Sequence, residues 1–462
     1  MSSETEKENN PPSGGTTSTN TSGENLAPDG SVVLTADKHF GAAAFQARYA
    51  LRDAAAGTIT GTMAIPLSIG IAMMSDYPIK VGLATVVFAS FVGWFMAWFK
   101  PGNYIGSAGI AAGLAPALAL GVASFGMENM AFCIFLTAAM QAVCWHYNWQ
   151  KYLLVAVPVY LVEGLLAGIG LKIFLKFFEF TYEIPEEAVT EEFWNTARII
   201  MCVISAVGMT VFVVLFAKFK DIQPAIPYFV LIIGGIVVAM FVPVSMIVVE
   251  DVDLYLRIPL PAADVTIMMM VLMILFCAML ATIDVIEQVM SNAAIEKIDP
   301  LKRKCNSNNS LLAIWIANMG SSFFGGMTNL DGLAKSTTNR LAGAYTKFSL
   351  VFIGSVVCFF LFNSEYLEYL PKFALAAIMM FSGYKMIAGL VHVTHYGPYA
   401  MMLAIATGLL VFELGIFEGL IIALVAHAVI HYMVYTKHDN MPGRAVLKRY
   451  FENLKRDSGN LQ

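Results

Sequence analysis

Charge is scarce in this chain. Asp, Glu, Lys and Arg make up 13% of its 462 residues, while hydrophobic types reach 58%. A soluble domain runs at about 25% charged and about 45–50% apolar. That contrast excludes an ordinary soluble protein, a coiled coil and a disordered chain. Basic residues are not in surplus either: 28 face 33 acidic ones, for a net charge of −5. No global positive field gathers phosphates, which excludes nucleic acid as a partner. Cysteines number six. Cys133, Cys144, Cys202, Cys277 and Cys358 lie in apolar runs and Cys305 in a basic loop, without CxxC or Cys/His ligand spacing. They read as small apolar side chains, not a disulfide framework or a metal site. Nucleophile elbow, P-loop, GxGxxG after a strand and HExxH are all missing, so an enzyme has no residues to stand on.

What is present is apolar sequence, nearly without pause. Spans are predicted near 54–75, 79–99, 105–122, 127–147, 153–177, 197–218 and 225–249. A second set of seven falls near 264–291, 311–324, 330–343, 346–363, 370–389, 397–413 and 417–436. Most have the roughly 20 residues needed to cross about 30 Å of hydrocarbon. The chain is therefore expected to be an all-α polytopic membrane protein with fourteen segments in two sets of seven. No signal peptide is expected at its N-terminus. Residues 1–37 are rich in Ser, Thr, Gly, Asn and Glu and are expected to be a disordered tail. Residues 38–53 mix Phe40, Phe45, Tyr49 and Leu51 with Arg48 and Arg52, which predicts a juxtamembrane amphipathic segment.

Loop charge sets the orientation. Lys38, Arg48 and Arg52, then Lys151, Lys218 and Lys220, Lys297 to Lys304, and Lys437 to Arg449 all fall on one side of fourteen crossings. The acidic loops around Glu183–Glu192 and Glu250–Asp253 fall on the other. Both termini are thus expected in the cytoplasm of a cell carrying this protein in its inner or plasma membrane.

Three segments are too short to cross: 105–122, 311–324 and 330–343. Lipid offers no partner to backbone polar groups, so a helix that stops midway must line a cavity or be buried in protein. The third position of the first half reads Tyr104-Ile-Gly-Ser-Ala-Gly-Ile-Ala-Ala-Gly113. Its counterpart in the second half reads Gly325-Gly-Met-Thr-Asn-Leu-Asp-Gly-Leu-Ala-Lys-Ser336. Interrupted segments at matching positions point to a transport site at a repeat interface. Two helix starts facing each other would make an anion site. The alternative is that these glycines only permit close helix packing.

At these residues the sequence resembles the SulP family of anion transporters, which shares a fold with nucleobase and bicarbonate carriers. The resemblance starts at Leu51-Arg-Asp-Ala-Ala-Ala-Gly57 and runs through Ile65-Pro66 to Tyr77-Pro78-Ile-Lys-Val-Gly-Leu83. Ile105-Gly-Ser-Ala-Gly109 stands where the family has Ser-Gly-Pro-Thr. Asn306-Ser-Asn308, Ala317-Asn318, Phe324-Gly-Gly326, Lys335-Ser-Thr-Thr-Asn339, Gly343-Ala344, Thr346 and Ala376-Ala-Ile378 continue the match. It covers roughly residues 48–436. It implies a 7+7 inverted repeat with a core (54–147 and 264–363) and a gate (153–249 and 370–436). Segments 3 and 10 would be half-helices holding the anion between them, and the core would move against the gate as an elevator. A homodimer is implied as well. The chain departs from the family at several points. Leu67 and Ser68 follow the first-span Pro where Gln is usual, and Ala108 replaces a Pro. Lys335 replaces the usual Arg, and Asp284 the usual Glu. Residues 437–462 form a tail in which no STAS domain is expected.

Lys335 is the strongest candidate. A charge within a span is costly, so it is normally functional or paired. Here it adds a full charge to a helix start, and the resemblance puts it at the family's anion-site cation. The alternative is a structural i,i+4 pair with Asp331. Lys binds as a point charge, so it discriminates oxyanion shape less than Arg. The resemblance places Asp284 in the site too. A carboxylate beside a bound anion needs a cation, which suggests coupling to Na+ or H+; its alternative is an ion pair with Lys335 in the empty carrier. Glu287, one turn on, is expected to reach the cytoplasmic interface. Glu163 would line the gate. Ser68, Ser107, Ser336 and Thr337 offer hydroxyls, and the N–H groups of Gly109, Ile110, Ala334 and Lys335 offer donors. Together they suit a small oxyanion. The pairs His392/His395 and His427/His431 lack carboxylate or Cys company and read as interfacial histidines, not metal ligands. The expected function is cation-coupled secondary transport of a small inorganic anion across the lipid bilayer, sulfate or bicarbonate first, with no cofactor beyond the coupling Na+ or H+. An organic-anion or nucleobase carrier on the same fold, an anion channel or exchanger, and a non-transporting scaffold stay open.

Overall fold

A computed structural model describes residues 33–36, 38–152, 158–182, 191–223, 225–242, 244–250 and 252–438, with 445 and 448. Residues 1–32, most of the expected disordered tail, and most of 439–462 lie outside the described residues, as do Glu183, Glu186 and Glu187 of the acidic loop. The chain is mostly helical. Its first half contains α1 (Ala50–Met74), α2 (Ile79–Phe99), α3 (Ala115–Phe125), α4 (Met127–His146), α5 (Val159–Tyr182), α6 (Glu191–Phe219) and α7 (Ala225–Ala239). The second half contains α8 (Ile267–Ile298), α9 (Ser307–Ser322), α10 (Leu333–Leu341), α11 (Ser349–Phe362), α12 (Lys372–Ala388), α13 (Pro398–Leu414) and α14 (Ile416–His438). Two three-residue strands, β1 (Ala108–Ile110) and β2 (Asn329–Asp331), precede α3 and α10. Among the described residues, six helices are long and apolar enough to cross a membrane, and five shorter apolar ones accompany them.

Packing follows small residues. α1 crosses α11 where a side-chain carbon on Gly57 would collide with the Ser349 carbonyl. α5 crosses α13 in the same way, Gly164 against Ala404 and Gly168 against Gly408. α2 packs on α11 and α9, and α4 packs on α9 and α8; α5, α12, α13 and α14 pack among themselves, with α6 and α7 against α12. Between these two sets runs an apolar contact that includes Val162 of α5 against Ile286 of α8.

Several expectations change. The segment at 38–53 is built from turns and the first residues of α1, not from a helix of its own. Turns run from Thr35 through Gly41, at φ +72°, to Ala44, a short 3-10 turn covers Ala47–Tyr49, and α1 begins at Ala50. The methyl-sized side chains of Ala42, Ala43 and Ala44 let this stretch bury itself, and the Ala43 carbonyl accepts from the Lys347 N–H at 2.8 Å. Val33, assigned to the tail, packs with Tyr49 and Leu301. The segment expected at 311–324 begins earlier, at Ser307, because the Asn306 side chain accepts from the Asn309 N–H at 3.0 Å and caps a polar first turn that hydropathy hides. Cys133, Cys144 and Cys277 are buried, whereas Cys202 is exposed.

Candidate functional site

The third and tenth segments meet through β1 and β2. They pair antiparallel with Ala108 opposite Asp331, Gly109 opposite Leu330 and Ile110 opposite Asn329. Flanking bonds run from the Ala111 N–H to the Thr328 carbonyl at 3.2 Å and from the Gly332 N–H to the Ser107 carbonyl at 3.1 Å. That register makes Gly109–Leu330 a hydrogen-bonded pair, so the Gly109 N–H is used inside the ribbon and is not the free donor expected of it. The Ile110 N–H is directed away from β2.

Both strands lead into short helices. α10 is nine residues long, and its N-cap, Gly332, has no side chain to satisfy the first-turn N–H groups of Leu333, Ala334 and Lys335. α3 is eleven residues long and follows a 3-10 turn at Ala112–Leu114.

Lys335 is buried, at 3% exposure. Its side chain curls back past Gly332, and its ammonium lies against Gly109, in space that any Cβ at that position would fill. Among the described residues this ammonium has no hydrogen bond or ion pair. The Asp331–Lys335 pair does not form. Asp331 belongs to β2, ahead of the helix, so the i,i+4 face that would join the two does not exist. Asp331 instead pairs with Lys347 at 3.3 Å and accepts from Asn103 Nδ2 at 2.6 Å. Lys347 also donates to the Gly106 carbonyl at 2.7 Å, which ties the start of α11 to the chain entering β1.

The hydroxyls divide. Ser336 Oγ accepts from the Ser107 N–H at 2.9 Å and donates to the Gly332 carbonyl at 2.8 Å, so it braces the ribbon. Ser68 Oγ and Ser107 Oγ are buried without a partner. Thr337 donates to its own helix at the Leu333 carbonyl, as hydroxyls in spans commonly do. Ala334 is exposed.

Asp284 is fully buried on α8. Its Oδ2 accepts from Gln141 Nε2 at 2.6 Å and from Asn318 Nδ2 at 3.1 Å, while Oδ1 has no partner. It makes no ion pair with Lys335. The Glu287 carboxylate lies against Gly113, just before α3, and its Oε2 is buried and unpartnered. Asn318 Oδ1 accepts from the Asn329 N–H at 2.8 Å, joining Asp284 to β2.

A profile described as the Sulfate permease family matches residues 51–407. The chain belongs to that family. This makes it a multi-pass membrane anion transporter, not an enzyme. YvdB of Bacillus subtilis (strain 168), provisionally named a sulfate transporter, is 26% identical over 406 residues, 81% of this chain and 73% of YvdB. In fold the chain is similar to the transmembrane domain of the cyanobacterium bicarbonate transporter BicA, with a TM-score of 0.65 and 17% identity over 82% of this chain and 98% of that one. It is similar also to murine Slc26a9, an anion transporter in its inward-facing state, with a TM-score of 0.67 and 16% identity over 84% of this chain and 69% of that one.

Within this sulfate permease chain, sequence reasoning missed Gln141 and Lys347 and discounted Glu287. An amide midway along an apolar helix was the available signal for Gln141. Elsewhere, Tyr160 and His427 lie 3.0 Å apart, Glu163 lies against Gly389, and no group of three or more metal-capable side chains occurs among the described residues.

Proposed function

We propose that this protein is a cation-coupled secondary transporter of a small inorganic anion, sulfate or bicarbonate, working by an elevator motion of a core against a gate. In this reading the chain makes fourteen segments in a 7+7 inverted repeat, and segments 3 and 10 are the half-helices beginning at α3 and α10. The anion lies between their starts, held by Lys335, by first-turn N–H groups of α10 with Ala334 and Lys335, by the Ile110 N–H, and by the hydroxyls of Ser68 and Ser107. Ser336 and Gly109 shape the site: one braces the ribbon and the other admits the ammonium. Asp284 carries the coupling Na+ or H+. Both termini are cytoplasmic, and the protein works as a homodimer.

One observation carries the reading: the Lys335 ammonium is buried and unpaired. A buried charge without a partner costs several kcal/mol. An anion arriving at that ammonium removes the cost, which is the differential interaction a carrier site needs. The partnerless hydroxyls of Ser68 and Ser107 and the free oxygen of Asp284 support it. The names of YvdB and BicA supply sulfate and bicarbonate as the first substrates to try.

The test is uptake of labelled sulfate and labelled bicarbonate into proteoliposomes, with and without inward Na+ and pH gradients. Uptake of one anion, accelerated by one gradient, is expected. Transport that ignores both gradients and needs a counter-anion would reverse the coupling, and absence of uptake of either anion would defeat the reading.

A further inference from the structure

Two recesses away from the anion site are joined by a row of aromatic rings. The larger is an apolar groove of about 580 Å³ on the exposed side of α2, lined by Ala84, Phe88, Phe95, Ile316 of α9, and Leu361 and Phe362 of α11, among others. It follows α2 from Ala84 to Met96, about 18 Å along the helix axis, which is the length of a long acyl chain. The smaller is a recess of about 310 Å³ among the turns that precede α1, lined by Leu34, His39, Phe40, Phe45, Gln46 and Arg48, among others. Phe95 of the groove meets Phe99 at 5.4 Å between ring centroids, and Phe99 meets Phe40 of the recess at 5.8 Å. All three rings are exposed, Phe40 at 75%.

The two recesses differ in charge. The groove has no charged lining residue. The smaller recess has His39 and Arg48, and Lys38 is exposed beside them. Arg48 is held in place: its Nε and Nη2 donate to Gln46 Oε1 at 3.2 and 3.0 Å, and Gln46 Nε2 donates to the Ala42 carbonyl at 2.6 Å. A guanidinium fixed in this way offers charge-assisted donors to a phosphate and loses little further freedom on binding it. Asp53, in the first turn of α1, is fully buried and committed to Tyr345 and Thr346, so it does not oppose that charge at the surface. Asp37 lies outside the described residues. Exposed aromatic rings next to basic side chains at the end of a membrane helix suit the boundary between acyl chains and anionic headgroups.

We propose that this face binds one anionic phospholipid, with its phosphate in the recess at Arg48 and His39 and one acyl chain along α2 in the groove. The occupant has to be apolar over three turns of α2 and negatively charged just beyond them. A neutral lipid fills the groove and leaves the two basic side chains unanswered. A free phosphate does the reverse. The chain's own residues 1–32 are rich in Ser, Thr, Gly, Asn and Glu, and in the groove their backbone polar groups would go unsatisfied. Only a lipid carries both chemistries in one molecule. The site is independent of the identity of the transported anion and of its coupling ion.

The experiment places the full chain in phosphatidylcholine bilayers with a minority of phosphatidylglycerol of the same acyl chains. The protein is then extracted in mild detergent, and the lipid it retains is counted by native mass spectrometry. The wild type should retain phosphatidylglycerol in preference to phosphatidylcholine. R48Q should cut that preference by about fivefold, the worth of one basic residue at an anionic surface, and H39Q should cut it less. V87W, on the groove lining, should lower retention of both lipids alike. A wild type that retains the two lipids equally, as it would if its own N-terminal residues filled the recess, overturns the proposal. So does an R48Q variant with unchanged preference, or a V87W variant with wild-type retention. Where the variants fail to fold, the wild type is extracted at rising salt. A preference undiminished at about 1 M, where the Debye length is about 3 Å, overturns the assignment of the phosphate to exposed basic side chains.

Discussion

Asp331 forms its ion pair with Lys347 at 3.3 Å and none with Lys335, on which its charge acts only from beyond contact. Two buried lysines twelve residues apart in sequence thus have opposite standing. Lys347 is part of a closed network with Asp331, the Gly106 carbonyl and Asn103. Lys335 stands ready for a partner that the chain does not supply.

Removing these two ammonium groups should therefore have opposite effects on the empty protein. K347A strands the Asp331 carboxylate in the interior and should destabilise by about 3–5 kcal/mol. K335A takes away an unpaired charge, so the anion-free protein should be as stable as the wild type or more so, and anion should no longer raise its melting temperature. Thermal unfolding in detergent, with and without sulfate or bicarbonate, checks both. Equal destabilisation by the two variants would mean that Lys335 is structurally paired after all.

Gly109 should be as critical to anion binding as the lysine it faces. Its backbone is ordinary strand, so alanine is tolerated by φ and ψ alone, but the new methyl would occupy the ammonium's position. G109A should lower anion affinity by about tenfold or more, a displacement cost on the order of 1.4 kcal/mol, while the protein remains folded. Wild-type affinity in that variant would show that the ammonium does not work from this position.

Membrane class and the locations of most helices were legible because hydropathy reports burial in lipid directly. The two short segments were legible too, since Gly-rich interruptions at 105–113 and 325–336 stand out against apolar runs. The β1–β2 pairing was not. Three-residue strands have no periodicity to read, and their register decides that the Gly109 N–H is consumed while Lys335 is left free. Glycines posed a related difficulty. Gly57 and Gly164 admit another helix, whereas Gly109 and Gly113 admit the ends of Lys335 and Glu287, and nothing in a small-residue pattern tells the two uses apart. Distance along α8 was all the sequence offered for Glu287, and it does not reveal that the chain entering α3 comes to meet its carboxylate.

Asp53 should prove structural, although it sits in the Leu51–Gly57 stretch where the resemblance begins. It accepts from the Tyr345 and Thr346 N–H groups at 2.6 and 3.1 Å and from the Thr346 hydroxyl at 2.6 Å, fastening the first turn of α1 to the chain that enters α11. D53A leaves buried backbone donors unsatisfied, at a cost of about 1–3 kcal/mol per group. The expected result is a lowered melting temperature with anion affinity per folded molecule unchanged. A folded D53A variant that loses anion affinity would place Asp53 in the site.

Asp284 should carry the link between cation and anion. The amides of Gln141 and Asn318 already satisfy its Oδ2, so substitution by Asn keeps one acceptor in place and removes only the charge. Coupling between two bound ions is reciprocal, and typical values correspond to about 5- to 150-fold in affinity. In the wild type, saturating the coupling cation should tighten anion binding by a factor in that range. In D284N the factor should fall to about one, with the anion still bound through Lys335 at the level the wild type shows without the cation. Titrating anion at fixed Na+ and fixed pH, then varying each alone, measures the factor for each cation separately. Should D284N keep the full factor for both, the coupling cation sits elsewhere, because no neutral amide can attract it to this depth on its own.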